Sequence, residues 1–372
     1  MALILTEEQK MLKDSAKELL ATKSPVSKMR DLRDSKYTPY DPKLWDEMVS
    51  MGWSALTIPE SYNGLDFGFV GLGQVLEQTG RNLSKSPLVS SILLGTSALR
   101  LSDNEILKAK LFPGIMEGTC KLAFAMQEGI YHQTKLFKTS AVLEDENYTI
   151  NGSKTIVIDG TTADHYIVVC QINDNLSLFI IDSNSKGITI SKKILMDSGS
   201  YADVTFKNVS VSAENQLNIK LDGRQLLDQI MTIAYAGISA ELLGICKQSF
   251  DITIKYLKER QQFGVIIGTY QALQHRAVIL FSEIELCKSI VLKALQAIDN
   301  NDPEALKYSH LAKAKLCKTT KLVTNEAIQL HGGIGVTDDA DIGFYLKRAR
   351  VAKQLFGDYN YHLDQLAVIK GY

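Results

Sequence analysis

The spacing of apolar positions changes character twice along the chain. From about Thr6 to Gly118 the apolar residues follow a helical period that prolines interrupt. Between Cys120 and Leu221 the pattern changes to short runs rich in β-branched and aromatic residues, at roughly ten-residue spacing, which is typical of an antiparallel sheet or barrel. From Gly223 onward the helical period returns in three long stretches, at about 226–259, 271–298 and 303–330.

This order predicts an α+β fold in three parts: an N-terminal α-helical domain (residues 1–119), a middle antiparallel β domain (120–222) and a C-terminal helical bundle (223–372). Two local signals refine the prediction. Thr6 is a good helix N-cap, and the acidic residues Glu7 and Glu8 suit the first turn of a helix. Asn151–Gly152 is a frequent dipeptide of two-residue hairpins, so a tight turn is expected there.

The composition is that of an ordinary folded protein, with 45% hydrophobic residues, 22% charged residues and a net charge of -1. Such a balance gives no global attraction to nucleic acid or to an anionic membrane, so neither is expected as a partner. The first residues lack the basic and apolar regions of a secretory signal. No uninterrupted apolar run reaches the ~18 residues of a membrane helix, and no membrane span is expected.

The five cysteines lie far apart and never form a C-x-x-C pair. Their odd number and wide spacing favour reduced thiols in a reducing compartment, so we expect a cytoplasmic protein. No cluster of cysteine and histidine has the ligand spacing of a zinc site, and no metal site is expected.

Two motifs in the last block carry more specific information. The first begins at Arg260, reads Arg-Gln-Gln-Phe-Gly, and continues with the segment 271–276; the second runs from Ala327 to Thr337 and contains His331-Gly332-Gly333. Each alone has a structural explanation, as a polar helix end or as a glycine turn after a helix. Together and in this order they resemble the R-x-x-F-G…Q-x-x-Q and Q-x-x-G-G-x-G signatures of the acyl-CoA dehydrogenase family. The resemblance covers essentially the whole chain.

The resemblance implies an α-helical domain, a β domain and a C-terminal four-helix bundle, with FAD as cofactor. A guanidinium suits the anionic pyrophosphate of FAD, and glycines let backbone N–H groups approach it without a Cβ in the way. In the family, residues of the first motif serve the FAD of a neighbouring subunit, so a homo- or hetero-oligomer, a dimer or tetramer, is implied. The predicted FAD contacts of this region are Arg260, Gln262, Phe263, Gln271, Gln329, Leu330, Gly332 and Gly333.

The β domain matches the family pattern less closely. Many relatives have a Thr-Glu-Pro run followed by Gly-Ser-Asp, whereas this chain reads Gln-Glu-Gly from Gln127 and lacks the later glycine and serine. Relatives also place a Trp and a Thr beside the flavin where this chain has two isoleucines. The resemblance therefore implies that backbone groups hold the flavin ring, without a side-chain hydrogen bond to its edge. The predicted contacts are Met126, Gln127, Gln133, Ile156 and Ile158.

The family reaction is the α,β-dehydrogenation of an acyl-CoA thioester to the enoyl-CoA. A carboxylate removes the α proton while the β hydrogen leaves as hydride to flavin N5, and this base needs a largely apolar pocket. In many relatives the base is the Glu of a Tyr-Glu-Gly-Thr run, which aligns here with the segment 356–359 and puts Gly357 at the Glu position. Other relatives carry it 26 residues before the motif arginine, which is Ala234 here. Both usual positions lack a carboxylate.

Three nearby carboxylates are candidates for a relocated base. Glu241 follows Ala234 by seven residues, two helical turns on the same face, and its apolar surroundings suit either a base or a salt-bridged glutamate. Asp358 adjoins Gly357, although a shift of one residue normally re-aims a side chain. Asp228 lies nearly two turns before Ala234.

The ending from Leu355 to Asp358, with His362 following, resembles a bacterial subgroup of small or partner subunits of heteromeric acyl-CoA dehydrogenases. That subgroup includes enzymes for pimeloyl-CoA-like diacids and for sterol side chains, which implies lipid or steroid catabolism. Two functions stay open: an FAD-dependent acyl-CoA dehydrogenase with a relocated base, or an FAD-completing partner subunit with little activity alone. A different chemistry on the same fold is a third. The resemblance also implies an acyl-CoA substrate and reoxidation by an electron-transferring flavoprotein.

Overall fold

The computed structural model describes residues 3–35 and 38–372. Long helices occupy both ends of the chain and strands fill the middle, as the hydrophobic pattern predicts. The α-helices are α1 (Glu7–Lys23), α2 (Val26–Asp34), α3 (Pro42–Ser50), α4 (Gly68–Asn82), α5 (Ser97–Leu101), α6 (Glu105–Met116), α7 (Gly223–Glu259), α8 (Gln271–Asp299), α9 (Ala305–His331), α10 (Ile342–Ala352) and α11 (Tyr359–Ile369). A π-helix covers Leu88–Thr96, and a 3-10 helix follows α9 at Gly332–Val336.

The strands are β1 (Leu122–Ala125), β2 (Ser140–Glu144), β3 (Asn147–Ile158), β4 (His165–Ile172), β5 (Asn175–Asp182), β6 (Ile188–Lys193), β7 (Tyr201–Ser212), β8 (Gln261–Gln262) and β9 (Val265–Ile266). The first seven form one sheet in the order β1-β4-β2-β3-β7-β6, with β5 paired to β4. Most pairs are antiparallel, but β1 and β2 both run parallel to β4. A small hairpin of β8 and β9 is separate from this sheet.

The α+β fold class is confirmed, and so is the helix start at Thr6. The Thr6 hydroxyl accepts the Gln9 N–H at 3.2 Å, and the Gln9 side chain accepts the Thr6 N–H at 3.1 Å, which is a complete capping box. The three long C-terminal stretches are the helices α7, α8 and α9. The two short helices α10 and α11 pack on α9.

The turn expected at Asn151–Gly152 is wrong. Both residues lie inside β3, where the register with β7 shifts between Ile150 and Gly152. The glycine is needed for close packing, because a Cβ added at Gly152 would lie 2.6 Å from the Thr139 Cα. The hairpin turn between β2 and β3 lies earlier, at Asp145, whose φ is 57°. A β-bulge and a hairpin turn favour the same dipeptide, so the short pattern did not separate them.

The described chain divides into two compact units. The first, called the helical unit below, comprises the described residues up to Asp31 together with Gly73–Ser84 and Tyr235–Tyr372. The second, called the β unit, comprises the described residues of Leu32–Leu72 and Lys85–Ala234. The three predicted segments describe order along the chain, whereas compactness groups α1 and most of α4 with the C-terminal helices.

In the first unit, α4 and α7 cross at glycines. A Cβ added at Gly80 would lie 2.1 Å from the Glu241 carbonyl oxygen, and one added at Gly244 would lie 1.9 Å from the Glu77 carbonyl oxygen. Helix α7 is long and apolar enough to cross a membrane by length and composition, but 94% of its most apolar window is buried in the protein. Such burial is the pattern of a core helix.

In the second unit, the inward positions of the sheet form one apolar core. It includes Tyr166, Phe179 and Phe206, all of them buried. Tyr166 and Phe206 meet edge to face, with ring centroids 6.2 Å apart. This core supports the segments that lead out of β1 and through β3, where the predicted flavin contacts of the β domain lie.

Candidate active site and cofactor site

The first motif forms an exposed hairpin in the helical unit. Phe263 and Gly264 connect β8 to β9 with φ values of 53° and 79°, the combination of a type I′ turn. A positive φ is unusual for a bulky residue and costs roughly 1 kcal/mol. The Phe263 side chain nevertheless is 91% exposed. An aromatic ring held outward at such a turn has no packing reason among the described residues, which fits a contact with a ligand or a second subunit.

Arg260 precedes this hairpin and is also exposed. Among the described residues its guanidinium takes part in no ion pair, and only backbone bonds fix its position, from the Arg260 N–H to the Tyr256 carbonyl at 2.9 Å and from the Ile267 N–H to the Arg260 carbonyl at 2.9 Å. An exposed guanidinium without a carboxylate partner suits an anionic ligand.

The second motif lies beside the first. The Tyr256 ring, one turn before Arg260, stacks on His331 with ring centroids 4.5 Å apart. Gly332 and Gly333 follow His331 and are exposed; a Cβ added at either would meet no atom of the described residues within 4 Å. Gly332 has φ 65° and ψ -145°, a conformation open only to glycine. The backbone at these glycines is therefore bare and accessible.

The remaining predicted contacts of the helical unit have different environments. Gln329 and Gln271 are exposed, and Gln271 is the first residue of α8. The Gln262 amide donates to the Gln261 carbonyl at 2.8 Å. The Leu330 side chain is buried in the bundle, so only its backbone could face a ligand. Taken together, the exposed arginine, the exposed aromatic ring and the bare glycines fit the pyrophosphate and adenosine parts of FAD.

The predicted flavin contacts of the β unit after β1 form hydrogen bonds with neighbouring residues of the same unit. The Met126 side chain is buried, and its carbonyl accepts a bond from Lys154 Nζ at 3.3 Å. The Gln127 carbonyl accepts the Thr155 N–H at 2.8 Å, and its side-chain amide donates to the Tyr131 carbonyl at 2.5 Å. The Gln133 side chain accepts N–H bonds from residues 135 and 136. These contacts build a braced loop after β1.

Ile156 is the most strained of the predicted flavin contacts. It lies in the register shift of β3 between Lys154 and Val157, has φ 51°, and is 36% exposed. A β-branched residue in the left-handed region is a true outlier, and such strain is concentrated at functional positions. The Ile156 N–H points to Asp203 Oδ1 at 3.3 Å. Ile158 is half-buried at the end of the same strand.

The first usual base position, Gly357, lies in a tight turn before α11. Phe356 and Gly357 have consecutive positive φ values of 61° and 99°. A Cβ added at Gly357 would lie 2.4 Å from Cδ1 of Tyr361. The buried Lys313 ammonium donates to the carbonyls of Gly357 and Lys353, each at 2.9 Å. Burial lowers the pKa of Lys313. Neither the backbone conformation nor the available space suits a carboxylate side chain at position 357.

The side chains of His310, His362 and Tyr235 pack together beside this turn. His310 and His362 face each other with their Nδ1 atoms 2.7 Å apart, and His362 Nε2 lies 3.1 Å from the Phe356 carbonyl. A carbonyl only accepts, so Nε2 of His362 carries the proton and its Nδ1 accepts from His310. Burial lowers the pKa of His310 to about 4, which keeps it neutral near pH 7. Tyr235 packs on both imidazoles, and its hydroxyl lies 3.4 Å from that of Tyr361.

The three candidate carboxylates differ in their partners. Glu241 is buried and forms a two-point ion pair with Arg348, from Nε to Oε1 at 2.6 Å and from Nη2 to Oε2 at 2.9 Å. This is the salt-bridged arrangement that the sequence left open for Glu241, and it commits the carboxylate to another partner. Asp358 caps α11 by accepting the Tyr361 N–H at 3.0 Å.

Asp228 lies in the β unit, at the start of α7. It is an exposed residue, yet the surrounding protein partly desolvates its carboxyl and raises its pKa, which the charge of Arg224 opposes. Ala234, the second usual base position, is fully buried. No group of three or more histidine, cysteine or acidic residues in the described ranges could hold a metal ion.

Sequence reasoning missed several residues of these segments. Lys154 and Glu128 form a buried ion pair at 2.6 Å beneath the predicted flavin loop. The signal in the sequence was a lysine at an inward position of an apolar strand. Tyr361, Lys313 and His310 left no comparable signal, because their role depends on contacts between α9, the turn at Gly357 and α11. His362 was noted only as part of the resemblance, without its contact to His310.

Three stretches of the chain match the domains of one family. Residues 6–119 match the acyl-CoA dehydrogenase N-terminal domain, residues 129–209 its middle domain, and residues 222–369 its C-terminal domain. These ranges follow the order of helices, sheet and helices described above. The chain belongs to the acyl-CoA dehydrogenase family, and its cofactor is FAD.

Individual relatives are similar over nearly the whole chain. The bovine mitochondrial short/branched chain specific acyl-CoA dehydrogenase is 25% identical, over 97% of this chain and 85% of its own length. The caffeyl-CoA reductase–Etf complex subunit CarC of Acetobacterium woodii is 25% identical, over 93% of both chains. A solved variant of the Tcur3481–Tcur3483 steroid ACAD is 25% identical and superimposes with a TM-score of 0.90 over 98% of both chains.

Proposed function

We propose that this protein is an FAD-binding subunit of a heteromeric acyl-CoA dehydrogenase, and that a second, related chain supplies the catalytic base. The observation that carries the proposal is the turn at Gly357. Its backbone has φ 99°, and the Tyr361 ring occupies the space into which a side chain at 357 would grow. The position that holds the base in many relatives is closed to a carboxylate in this chain.

The other carboxylates support the same proposal. Glu241 is held by Arg348, and Asp358 is used as a helix cap. A general base must reach the substrate Cα–H with its carboxylate unengaged, and both groups already have partners. Two of the similar proteins support a heteromeric arrangement. CarC is a subunit of the caffeyl-CoA reductase–Etf complex, and the steroid ACAD is named for two components, Tcur3481 and Tcur3483.

The second candidate function is a dehydrogenase that needs no other chain for its base. One observation favours it, namely the raised pKa of Asp228. A carboxylate whose pKa is shifted towards neutrality by desolvation is better matched to proton abstraction than one at its ordinary value. In this alternative Asp228 would remove the α proton in place of residues 234 and 357.

In both forms the substrate would be an acyl-CoA thioester, and the reaction α,β-dehydrogenation to the enoyl-CoA. The chemistry that bound FAD supplies is acceptance of the β hydrogen as hydride. Arg260, Phe263 and the backbone of Gly332 and Gly333 would bind the cofactor across a subunit boundary in a dimer or tetramer. We further propose cytoplasmic lipid or steroid catabolism as the setting, with an electron-transferring flavoprotein as the oxidant of the reduced cofactor.

The experiment compares the purified protein alone with the protein co-expressed with each acyl-CoA dehydrogenase chain of its own genome that carries a glutamate at either usual base position. FAD content is measured from the visible spectrum, and a panel of acyl-CoA thioesters is added without oxygen. The proposal predicts that the flavin is bleached only in a co-expressed pair, because only then is a base present.

Bleaching by the protein alone would refute the partner function and favour the second candidate. In that event Asp228→Asn should abolish bleaching while the FAD content stays unchanged, and retained bleaching would remove Asp228 as the base. Absence of FAD from the protein both alone and in every pair would refute both functions.

A further inference from the structure

Lys154 and Glu128 form the most deeply buried ion pair near the predicted flavin contacts of the β unit. The Lys154 side chain is 0% exposed, and its Nζ lies 2.6 Å from Glu128 Oε1. The same oxygen accepts the Thr139 hydroxyl at 2.6 Å, while Oε2 accepts the Lys138 N–H at 2.6 Å. Although burial acts to raise it, the pKa of Glu128 is lowered by Lys154 and these bonds. The carboxylate is therefore fully paired.

The pair braces the loop on both sides of Gln127. Lys154 Nζ bonds to the Met126 carbonyl at 3.3 Å as well as to Glu128, so it bridges the residues before and after Gln127. The Gln127 carbonyl accepts the N–H of Thr155, the residue after Lys154. Strand β3 and the loop after β1 are therefore locked together at this point.

The strained Ile156 lies two residues beyond Lys154 in the same strand. The register shift of β3 begins at Lys154 and ends at Val157, so the lysine anchors one side of the distortion that gives Ile156 its positive φ. One buried ion pair thus adjoins two predicted flavin contacts that come from different segments, Gln127 and Ile156. Strained backbone persists only where the surroundings over-determine it.

We infer that Lys154 and Glu128 are a positioning pair for the flavin, which holds Gln127 and Ile156 in place and tunes the potential of the bound cofactor through its two charges. This inference rests on the flavin contacts in the proposed function. Reduction adds negative charge to a flavin, so a nearby buried cation favours the reduced form and a nearby buried anion opposes it.

A purely structural ion pair makes a different prediction. Removing either partner of a buried pair is destabilising, because the other charge is left uncompensated. If the pair were only structural, both single changes would loosen the loop and shift the flavin potential in the same direction. The charge effect on the flavin has opposite signs for the two changes. The sign of the potential shift therefore separates the two roles.

The experiment measures the flavin midpoint potential and the FAD dissociation constant of the FAD-bound protein, alone or in its complex. Lys154→Met leaves the Glu128 charge, so the potential should fall; Glu128→Gln leaves the Lys154 charge, so the potential should rise. The double variant Lys154→Met/Glu128→Gln should return the potential towards the unmodified value. Each single variant should weaken FAD binding by about tenfold, because the loop loses its brace.

Asp66→Asn is the control, since it breaks the more exposed ion pair of Asp66 with Arg100 at 2.6 Å, in the same unit but outside β1, β3 and the loop after β1. It should change neither the potential nor FAD binding. Potential shifts of the same sign in the two single variants, or no shift in either, would overturn the inference while leaving the proposed function intact. If Lys154→Met does not fold, the Glu128→Gln and double variants still decide the outcome. Failure of the unmodified protein to bind FAD would refute the proposed function instead.

Discussion

Gly357 is subject to three constraints of different origin. Its φ of 99° is a backbone constraint that only glycine meets without strain, and the nearby ring of Tyr361 is a packing constraint. The carbonyl of the same residue is held by Lys313, so the turn is fixed from behind. Because the backbone conformation, the side-chain space and the carbonyl are all fixed, we expect few residues other than glycine to be tolerated at position 357.

Replacing Gly357 by alanine should therefore cost more than the backbone strain alone. We expect a loss of about 2–4 kcal/mol in the free energy of unfolding, from strain plus overpacking against Tyr361. The matched control is Gly264→Ala, where φ is 79° but a Cβ would meet no described atom within 4 Å; it should lose only about 1 kcal/mol. Urea unfolding of the FAD-free protein gives both values. Equal losses would mean that the Tyr361 ring moves away freely.

The base candidates illustrate how much a sequence can say about single residues. The absence of a carboxylate at Gly357 and Ala234 is readable directly. The outcome for Glu241 was left open, because its partner Arg348 lies 107 positions away and no local pattern joins them. The packing of Tyr361 beside Gly357 depends on a tight turn that involves two positive φ values, which a hydrophobic pattern does not encode.

At the scale of elements, helices α4 and α7 pack unusually closely. Their crossing in the helical unit depends on Gly80 and Gly244, where each added Cβ would overlap a carbonyl of the other helix. Close to this crossing, the buried Glu77 pairs with Lys13 and Lys247. These ion pairs connect α1, α4 and α7 at the crossing.

Gly244→Ala should destabilise this unit strongly, because the new Cβ would lie 1.9 Å from a backbone oxygen that cannot rotate away. We expect a loss of about 3 kcal/mol or more. Gly343→Ala in α10 is the matched control, since its nearest contacts would be at 3.9 Å and alanine is the better helix former; it should be neutral or stabilising by up to about 1 kcal/mol. Thermal unfolding followed by circular dichroism compares the two. A small effect of Gly244→Ala would show that the helices separate at low cost.

The long helices were predictable from sequence because their periodic pattern extends over many turns. The short strands β1 and β2 were not, since four or five residues carry too little pattern. The turn predicted at Asn151–Gly152 was wrong because the pairing of β3 with β7 outweighs the local turn preference of this dipeptide. The motifs at Arg260 and Gly332 could be recognised from residue type and spacing, and their contact with FAD stays a prediction. The Lys154–Glu128 ion pair could not be recognised, because it joins segments 26 positions apart.

In the whole molecule, the hairpin with Arg260 and Phe263 leaves both side chains exposed to solvent in a single chain. The aromatic ring is 91% exposed, and the glycines of the second motif beside it are bare. The proposed assembly satisfies these groups with FAD and a second subunit. It also supplies the carboxylate that the turn at Gly357 does not allow.

In the proposed function this chain binds FAD but does not itself remove the α proton. Exchange of the α hydrogens of an acyl-CoA with deuterium from solvent, followed by NMR, reports proton removal without requiring hydride transfer. We expect no exchange above the buffer rate with the FAD-bound protein alone, and exchange when the base-supplying second chain is present. Exchange catalysed by this chain alone would show that it carries its own base and would refute the partner function.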